Sequence, residues 1–391
     1  MTEALLARGM ERYAIYCTPC HGPGGAGDGA AVARGFPARR PCRRRPGAAS
    51  RRSPPTWAAR ILRRPPAAGG PLGHRPLRGA AAAMKAAAGL ALALAAGGAA
   101  AFGGPEVLEA WLPSFLLWTQ FAIGALGVLA IGHLLREEWL APIRPPLEAM
   151  ARSLPMLALM AVPVLVAVET LYPWAAPEAG PQQGSRALVL APLAFRLRAL
   201  GYLLLWAVLG RALARPGRHQ RLSALTLILL LPSALLAAHD WVLSRDPAWL
   251  PSLQGFAIWV EGLAGALALA ILAAWRTPPR AEGLPGLERA LLTLALAVLW
   301  LWFTQFIVVW MADRPEESGW YLRRLGDWGW VQLGVALPAL LLAISLAAPP
   351  DHGRWRMTAV CLLLLVQHVA HLWWVVRPDA PRVRRHPGWI L

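Results

Sequence analysis

From residue 85 onward the chain alternates long apolar runs with short polar links. Nine such runs fall at roughly 85–103, 113–135, 155–172, 188–213, 222–243, 252–275, 288–312, 329–348 and 357–376. Each is close to the ~20 residues that a helix needs to cross a bilayer. Backbone polar groups in lipid have to be satisfied within their own segment, so helices are the form these runs should take. The expected fold is all-α, a polytopic transmembrane helical bundle of nine to ten helices. The first run, rich in Ala and Gly, gives the weakest signal.

The polar links carry an arginine bias. One set holds Arg136, Arg144, Arg152, Arg211, Arg215, Arg218, Arg221, Arg276, Arg280, Arg289, Arg354 and Arg356. The opposite set holds Arg186, Arg245, Arg314, Arg323 and Arg324, mixed with acidic residues such as Glu178, Asp246 and Asp327. Positive charge accumulates on the cytoplasmic side of a membrane protein, which places the first set there. The expected location is the bacterial inner (cytoplasmic) membrane, crossed many times. Arg377 and the tail 381–391, with Arg382, Arg384 and Arg385, run against the bias, as they would if a partner held the tail or a further segment were missing.

Composition agrees with lipid: 57% of residues are hydrophobic and 20 are Trp. The net charge of +18 suggests nucleic acid until it is located. Residues 38–85 hold twelve Arg and Lys85 with no acidic residue, which leaves 18 − 13 = +5 for the rest. No nucleic-acid partner is expected. Residues 37–83 are Arg, Pro, Ala and Gly without apolar periodicity. They read as a basic low-complexity linker, or as a GC-rich coding segment translated out of frame, the preferred account.

Ahead of it, residues 1–36 carry a different chemistry. Glu3 to Tyr16 has helical composition. It leads into Cys17-Thr18-Pro19-Cys20-His21 and a Gly-rich stretch. This spacing is the attachment pattern of a c-type haem. Cys17 and Cys20 would form the thioethers, and His21 would bind the iron. A zinc site that adds Cys42 or His74 fits the usual spacings poorly. No Met lies between His21 and Met84 to serve as a second axial ligand, and no apolar leader precedes Cys17, so residues 1–36 read as a truncated cytochrome c-like segment. The bundle occupies 84–380. Cys361, inside an apolar run, reads as a small buried residue.

Within the bundle, polar residues at depth are expensive and are functional candidates by default. Glu261 stands in the middle of the run 252–275, where a charge needs a partner, a water cavity or a proton. His239 and Asp240 lie near the outer end of 222–243, and Arg196 and Arg198 lie inside 188–213. Glu261, His239, Asp240 and Arg196 are the expected members of a proton path. The plainer alternatives are capping for His239, Asp240 and Glu169, and a helix-joining ion pair for Arg196. Gln367, His368 and His371 share one helix, with the two histidines on neighbouring turns. His371 with Trp373 and Trp374 also reads as an interfacial belt.

Three stretches carry a family resemblance: Trp302 to Glu317 followed by Trp320-Tyr321-Leu322-Arg323-Arg324, His239 to Ser244 with Trp249, and Trp111-Leu112-Pro113-Ser114-Phe115-Leu116. They resemble the second large membrane subunit of alternative complex III, the bacterial quinol:cytochrome c oxidoreductase, over about residues 85–380. Residues 8–36 look like the mono-haem cytochrome c subunit of the same complex. The resemblance implies a bundle related to the quinone-handling subunits of polysulfide and nitrite reductases. It implies a subunit without a metal that takes part in quinol handling or proton conduction. Quinol or quinone would be the substrate, bound here or on a sister subunit, with other subunits of the respiratory complex, the lipid bilayer and the quinone pool as partners. Two other readings stay open. One is a secondary transporter, with Pro163 and Pro232 breaking helices around a substrate. The other is a membrane-tethered c-type cytochrome.

Overall fold

The computed structural model describes residues 3–24, 26, 29–30, 97–98, 103–135, 140–179, 189–215, 220–246, 249, 253–275, 284–349 and 353–379. Contacts divide the chain into two units, 1–78 and 79–391.

In the first unit, α1 (Glu3–Tyr16) runs into the short α2 (Thr18–His21). The Tyr13 hydroxyl donates to the Gly22 carbonyl at 3.0 Å, and Thr18 Oγ1 donates to the Tyr13 carbonyl at 3.2 Å. Gly22 turns the chain out of α2 at φ +74°, a conformation that glycine adopts without strain.

The second unit is an all-α bundle of a multi-pass membrane protein. Its helices are α3 (Pro105–Leu135), α4 (Leu140–Arg152), α5 (Leu154–Met160), α6 (Val162–Val166), α7 (Val168–Leu171), α8 (Pro192–Leu213), α9 (Gln220–Trp241), α10 (Gln254–Ala274), α11 (Leu284–Ala312), α12 (Pro315–Leu325), α13 (Leu337–Ala347) and α14 (Arg354–Val376). A π-helical stretch, Trp330–Ala336, leads into α13. Among the described residues, eight helical spans are long and apolar enough to cross a membrane, and Leu140–Val166 counts as one of them. The apolar run at 85–103 lies outside the described residues except for 97, 98 and 103.

Two spans differ from the sequence expectation. α3 begins at Pro105, eight residues before the apolar run at 113, and so carries Glu109 into the buried part of the bundle. The run at 155–172 is the far half of a longer, broken span. It starts at Leu140 and is interrupted at Ser153, Ala161 and Ala167. Pro155 and Pro163 account for the first two breaks: each sits in the first turn of a new helical piece, where its missing N–H costs nothing. Arg144 and Arg152, expected in a loop, therefore lie on α4, and both pair with Glu148.

α3 is the central strut, buried along most of its length and packed against α4, α9 and α10. Small residues let α10 approach it closely at Gly124 and Gly262. α10 in turn packs on α11 and α14. α11 ends at Ala312, and Asp313 takes φ +46° before Pro315 starts α12.

Ion pairs lock the arginine-poor end. Arg245, fully buried, grips both carboxylate oxygens of Glu109 at 2.9 and 3.1 Å and donates to the Leu171 carbonyl at 3.0 Å. Arg323 pairs with Asp246, and Arg324 pairs with Asp379. The Arg324 guanidinium also lies 3.7 Å over the Trp320 ring, which stacks on Trp249 with centroids 3.6 Å apart. Burial lowers the Arg324 pKa to about 10, against the opposing pull of Asp379. Three of the five arginines counted on this side are thus neutralised within the bundle.

Candidate functional site

Glu261 lies seven residues along α10 from Gln254, which is about 10 Å of helical rise inside the span. Only 1% of its surface is exposed. Three side chains from two other helices close on its carboxylate. Trp302 of α11 donates its indole N–H to Oε1 at 2.8 Å. His371 Nδ1 lies 2.9 Å from Oε2 and 2.8 Å from Oε1. His368 Nδ1 lies 3.3 Å from Oε2. The i, i+3 spacing of the two histidines on α14 is what presents both rings to one carboxylate.

The proton pattern follows from the partners. Gln254 Nε2 faces His371 Nε2 at 3.3 Å. An amide N–H there makes that imidazole nitrogen the acceptor, so the ring proton sits on Nδ1 and points at Glu261. Turning the Gln254 amide over would present its oxygen instead and accommodate a proton on both ring nitrogens. His368 packs against Phe121, with ring centroids 5.4 Å apart, and its Nε2 is buried with no hydrogen-bond partner among the described residues. Gln367 is fully buried, and both its amide atoms are in the same condition. Buried polar groups are otherwise nearly always partnered, which marks this side of α14 as a place where polarity is held at a cost.

A cavity of about 280 Å³ lies beside the cluster. Trp302, Phe303, Phe306, Tyr321 and Trp374 supply aromatic walls, and Gln254, His371 and Gln332 supply its polar points. The Trp302 ring lies 4.3 Å from that of His371, so one indole forms the cavity wall and holds the carboxylate. Gln305 closes the start of α10, with its Oε1 accepting from the Leu253 backbone N–H at 2.8 Å.

The other expected members of the proton path sit elsewhere. Asp240 is held by Arg198 through two hydrogen bonds of 2.8 and 2.9 Å and by the Tyr202 hydroxyl at 3.0 Å. Arg196 bonds both oxygens of Glu169 at 2.8 and 3.1 Å, and its Nε donates to the Leu165 carbonyl at 2.8 Å in the broken span. It performs the helix-joining role and satisfies backbone that the break has freed. His239 is half-buried, and its side chain makes no hydrogen bond with a described residue. None of the hydrogen bonds of Glu261 runs to Arg196, Arg198, His239 or Asp240.

Some of the cluster was visible as sequence. The histidine spacing was present, but its neighbour Trp374 suggested an interfacial belt. Instead His371 is 1% exposed and faces the carboxylate. The donor role of Trp302, the hold of Tyr202 on Asp240, and Gln332 gave no sequence signal, because each depends on which helix faces which.

In the first unit, Cys17 is a free, partly exposed thiol at the start of α2, and the backbone N–H of His21 donates to the Cys17 carbonyl at 2.8 Å. The side chain of Cys20 lies outside the described residues. Among the described residues no group of three or more His, Cys, Asp or Glu is arranged to hold a metal ion. No family model matches the chain, and no curated protein matches it.

Proposed function

We propose that this chain is a membrane subunit of a respiratory quinol:cytochrome c oxidoreductase of the alternative complex III type, in the bacterial inner membrane, where it takes part in quinol handling and proton conduction. The observation that carries this reading is the buried Glu261 carboxylate, bracketed by His368, His371 and Trp302. Oxidation of a quinol releases two electrons and two protons. The electrons go to the haem-bearing side of the complex and on to cytochrome c. The protons need a route out of the low-dielectric interior. A carboxylate with two imidazoles can take up a proton and pass it on, and intramembrane carboxylate–histidine chains are a recurrent form of proton relay. Asp240 with Arg198 and Glu169 with Arg196 act as structural ion pairs that hold the surrounding helices.

Support for the family is the resemblance carried by Trp302 to Glu317 with Trp320 to Arg324, by His239 to Ser244 with Trp249, and by Trp111 to Leu116. In residues 1–36, haem c would be held by thioethers from Cys17 and Cys20 and by His21 at the iron. When bound, it would supply one-electron transfer. The quinone pool, sister subunits and the bilayer are the partners this reading requires.

Purification of the tagged chain from native membranes in mild detergent tests the assignment. Haem-bearing subunits should co-purify, and the preparation should reduce cytochrome c when given quinol. A chain that purifies alone from membranes with intact quinol:cytochrome c activity would contradict it.

A further inference from the structure

A second, smaller cavity lies where α3, α9 and α10 meet, and Trp206 of α8 adds to its wall. We infer that it is a binding site for ordered water, which accepts from the Trp259 indole N–H and donates to the Gln120 side chain, and so joins α10 to α3 through a polar bridge. It is distinct from the cavity beside Glu261, with which it shares no described lining residue.

Size sets the class of ligand. The cavity has a volume of about 20 Å³, above the roughly 10–15 Å³ that one water needs and far below the roughly 300 Å³ at which small-molecule pockets begin. Polarity sets its identity. Gln120 and Trp259 both line the cavity. Gln120 Oε1 and Trp259 Nε1 are both buried without a hydrogen-bond partner among the described residues. Buried polar atoms that find no partner in the protein are ordinarily satisfied by internal water. The two atoms call for opposite partners, because an indole N–H only donates and an amide oxygen only accepts. Water does both, and it serves the Gln120 amide equally well if that group turns its N–H inward. Thr119 offers a third point of contact. Its hydroxyl donates to the Phe115 carbonyl at 2.8 Å, and its oxygen keeps the capacity to accept. No charged side chain lines the cavity among the described residues, so an ion there would lack a counter-charge, and burying one unpaired is prohibitive. Place gives the bridge its role. Gln120 stands one turn from Gly124 on α3, and Trp259 stands one turn from Gly262 on α10. The water therefore sits beside the closest approach of the two helices, where it satisfies polar groups that neither helix satisfies alone.

Water-edited solid-state NMR tests the site on the full chain in liposomes, with isotopically labelled tryptophan. Trp259→Phe and Trp206→Phe assign the two indole signals by their loss. In the parent chain the Trp259 signal should build up from water well ahead of the Trp206 signal. Trp206 lines the same cavity, but its N–H is already taken by Ser233 Oγ at 2.9 Å. Gln120→Leu removes one anchor of the water and should bring the Trp259 signal down to the Trp206 level. Ala237→Leu fills the cavity from α9, leaves Gln120 and Trp259 in place, and should do the same. Unchanged positions of the other indole signals establish that a variant is folded. A Trp259 signal no faster than that of Trp206 in the parent chain would overturn the inference without recourse to any variant, and so would a fast signal that persists in a folded Gln120→Leu or Ala237→Leu chain. Magnetisation that reaches the Trp259 N–H from lipid acyl chains instead of water would overturn it too, as the mark of a cleft filled with hydrocarbon.

Discussion

Gly124 and Gly262 meet backbone to backbone where α3 crosses α10: a Cβ on Gly124 would stand 2.0 Å from the Gly262 carbonyl oxygen. That atom is fixed backbone, so a methyl group there forces the helices apart at the residue adjoining Glu261. Gly124→Ala should destabilise the bundle by about 1–3 kcal/mol, the usual cost of overpacking. Gly201→Ala is the matched control, since nothing lies within 4 Å of its Cβ position; it should be neutral or slightly stabilising, because Ala favours helix. Thermal unfolding in detergent compares the two, and equal melting temperatures would show that the crossing is looser than the structure gives.

Trp302 serves Glu261 through a single N–H. Trp302→Phe keeps an aromatic wall for the cavity but removes that donor. A hydrogen bond to a charged group contributes about 1.5–3 kcal/mol. The variant should therefore assemble normally and conduct protons more slowly. Steady-state proton release beside the electron-transfer rate measures this, and an unaltered rate would assign Trp302 to packing alone.

The Arg245–Glu109 pair joins α3 to the end of α9. Glu109→Leu leaves a fully buried guanidinium without its counter-charge, and breaking a buried pair costs about 3–5 kcal/mol. The double variant Glu109→Leu with Arg245→Met should recover most of that loss, since an apolar pair needs no compensation. Detergent melting curves for the single and double variants decide the point. A double variant no more stable than the single one would mean that the Arg245 bond to the Leu171 carbonyl, rather than the ion pair, holds this corner.

Much of the bundle was legible because its signal is one-dimensional. Apolar length alone located the spans built on α8, α9, α10, α11, α13 and α14. It failed where helices carry polar residues for tertiary reasons: the start of α3 was hidden by Glu106 and Glu109, and α4 by Arg144, Glu148 and Arg152. The pairing of helices was not legible. Depth suggested Asp240 and Arg196 as companions for Glu261, yet depth is shared by every helix of a bundle and says nothing of azimuth. Arg198 and Glu169 took those residues, while the histidines of α14 faced the carboxylate.

Glu261→Gln keeps the shape and the hydrogen-bonding reach of the side chain while removing its ability to ionise, so it isolates the role assigned to the carboxylate. The measurement is proton translocation by the complex in liposomes, recorded together with quinol oxidation. With folding and assembly intact, the variant should show fewer protons moved per electron than the parent. An unchanged ratio would make Glu261 a packed side chain and contradict its place in a proton path.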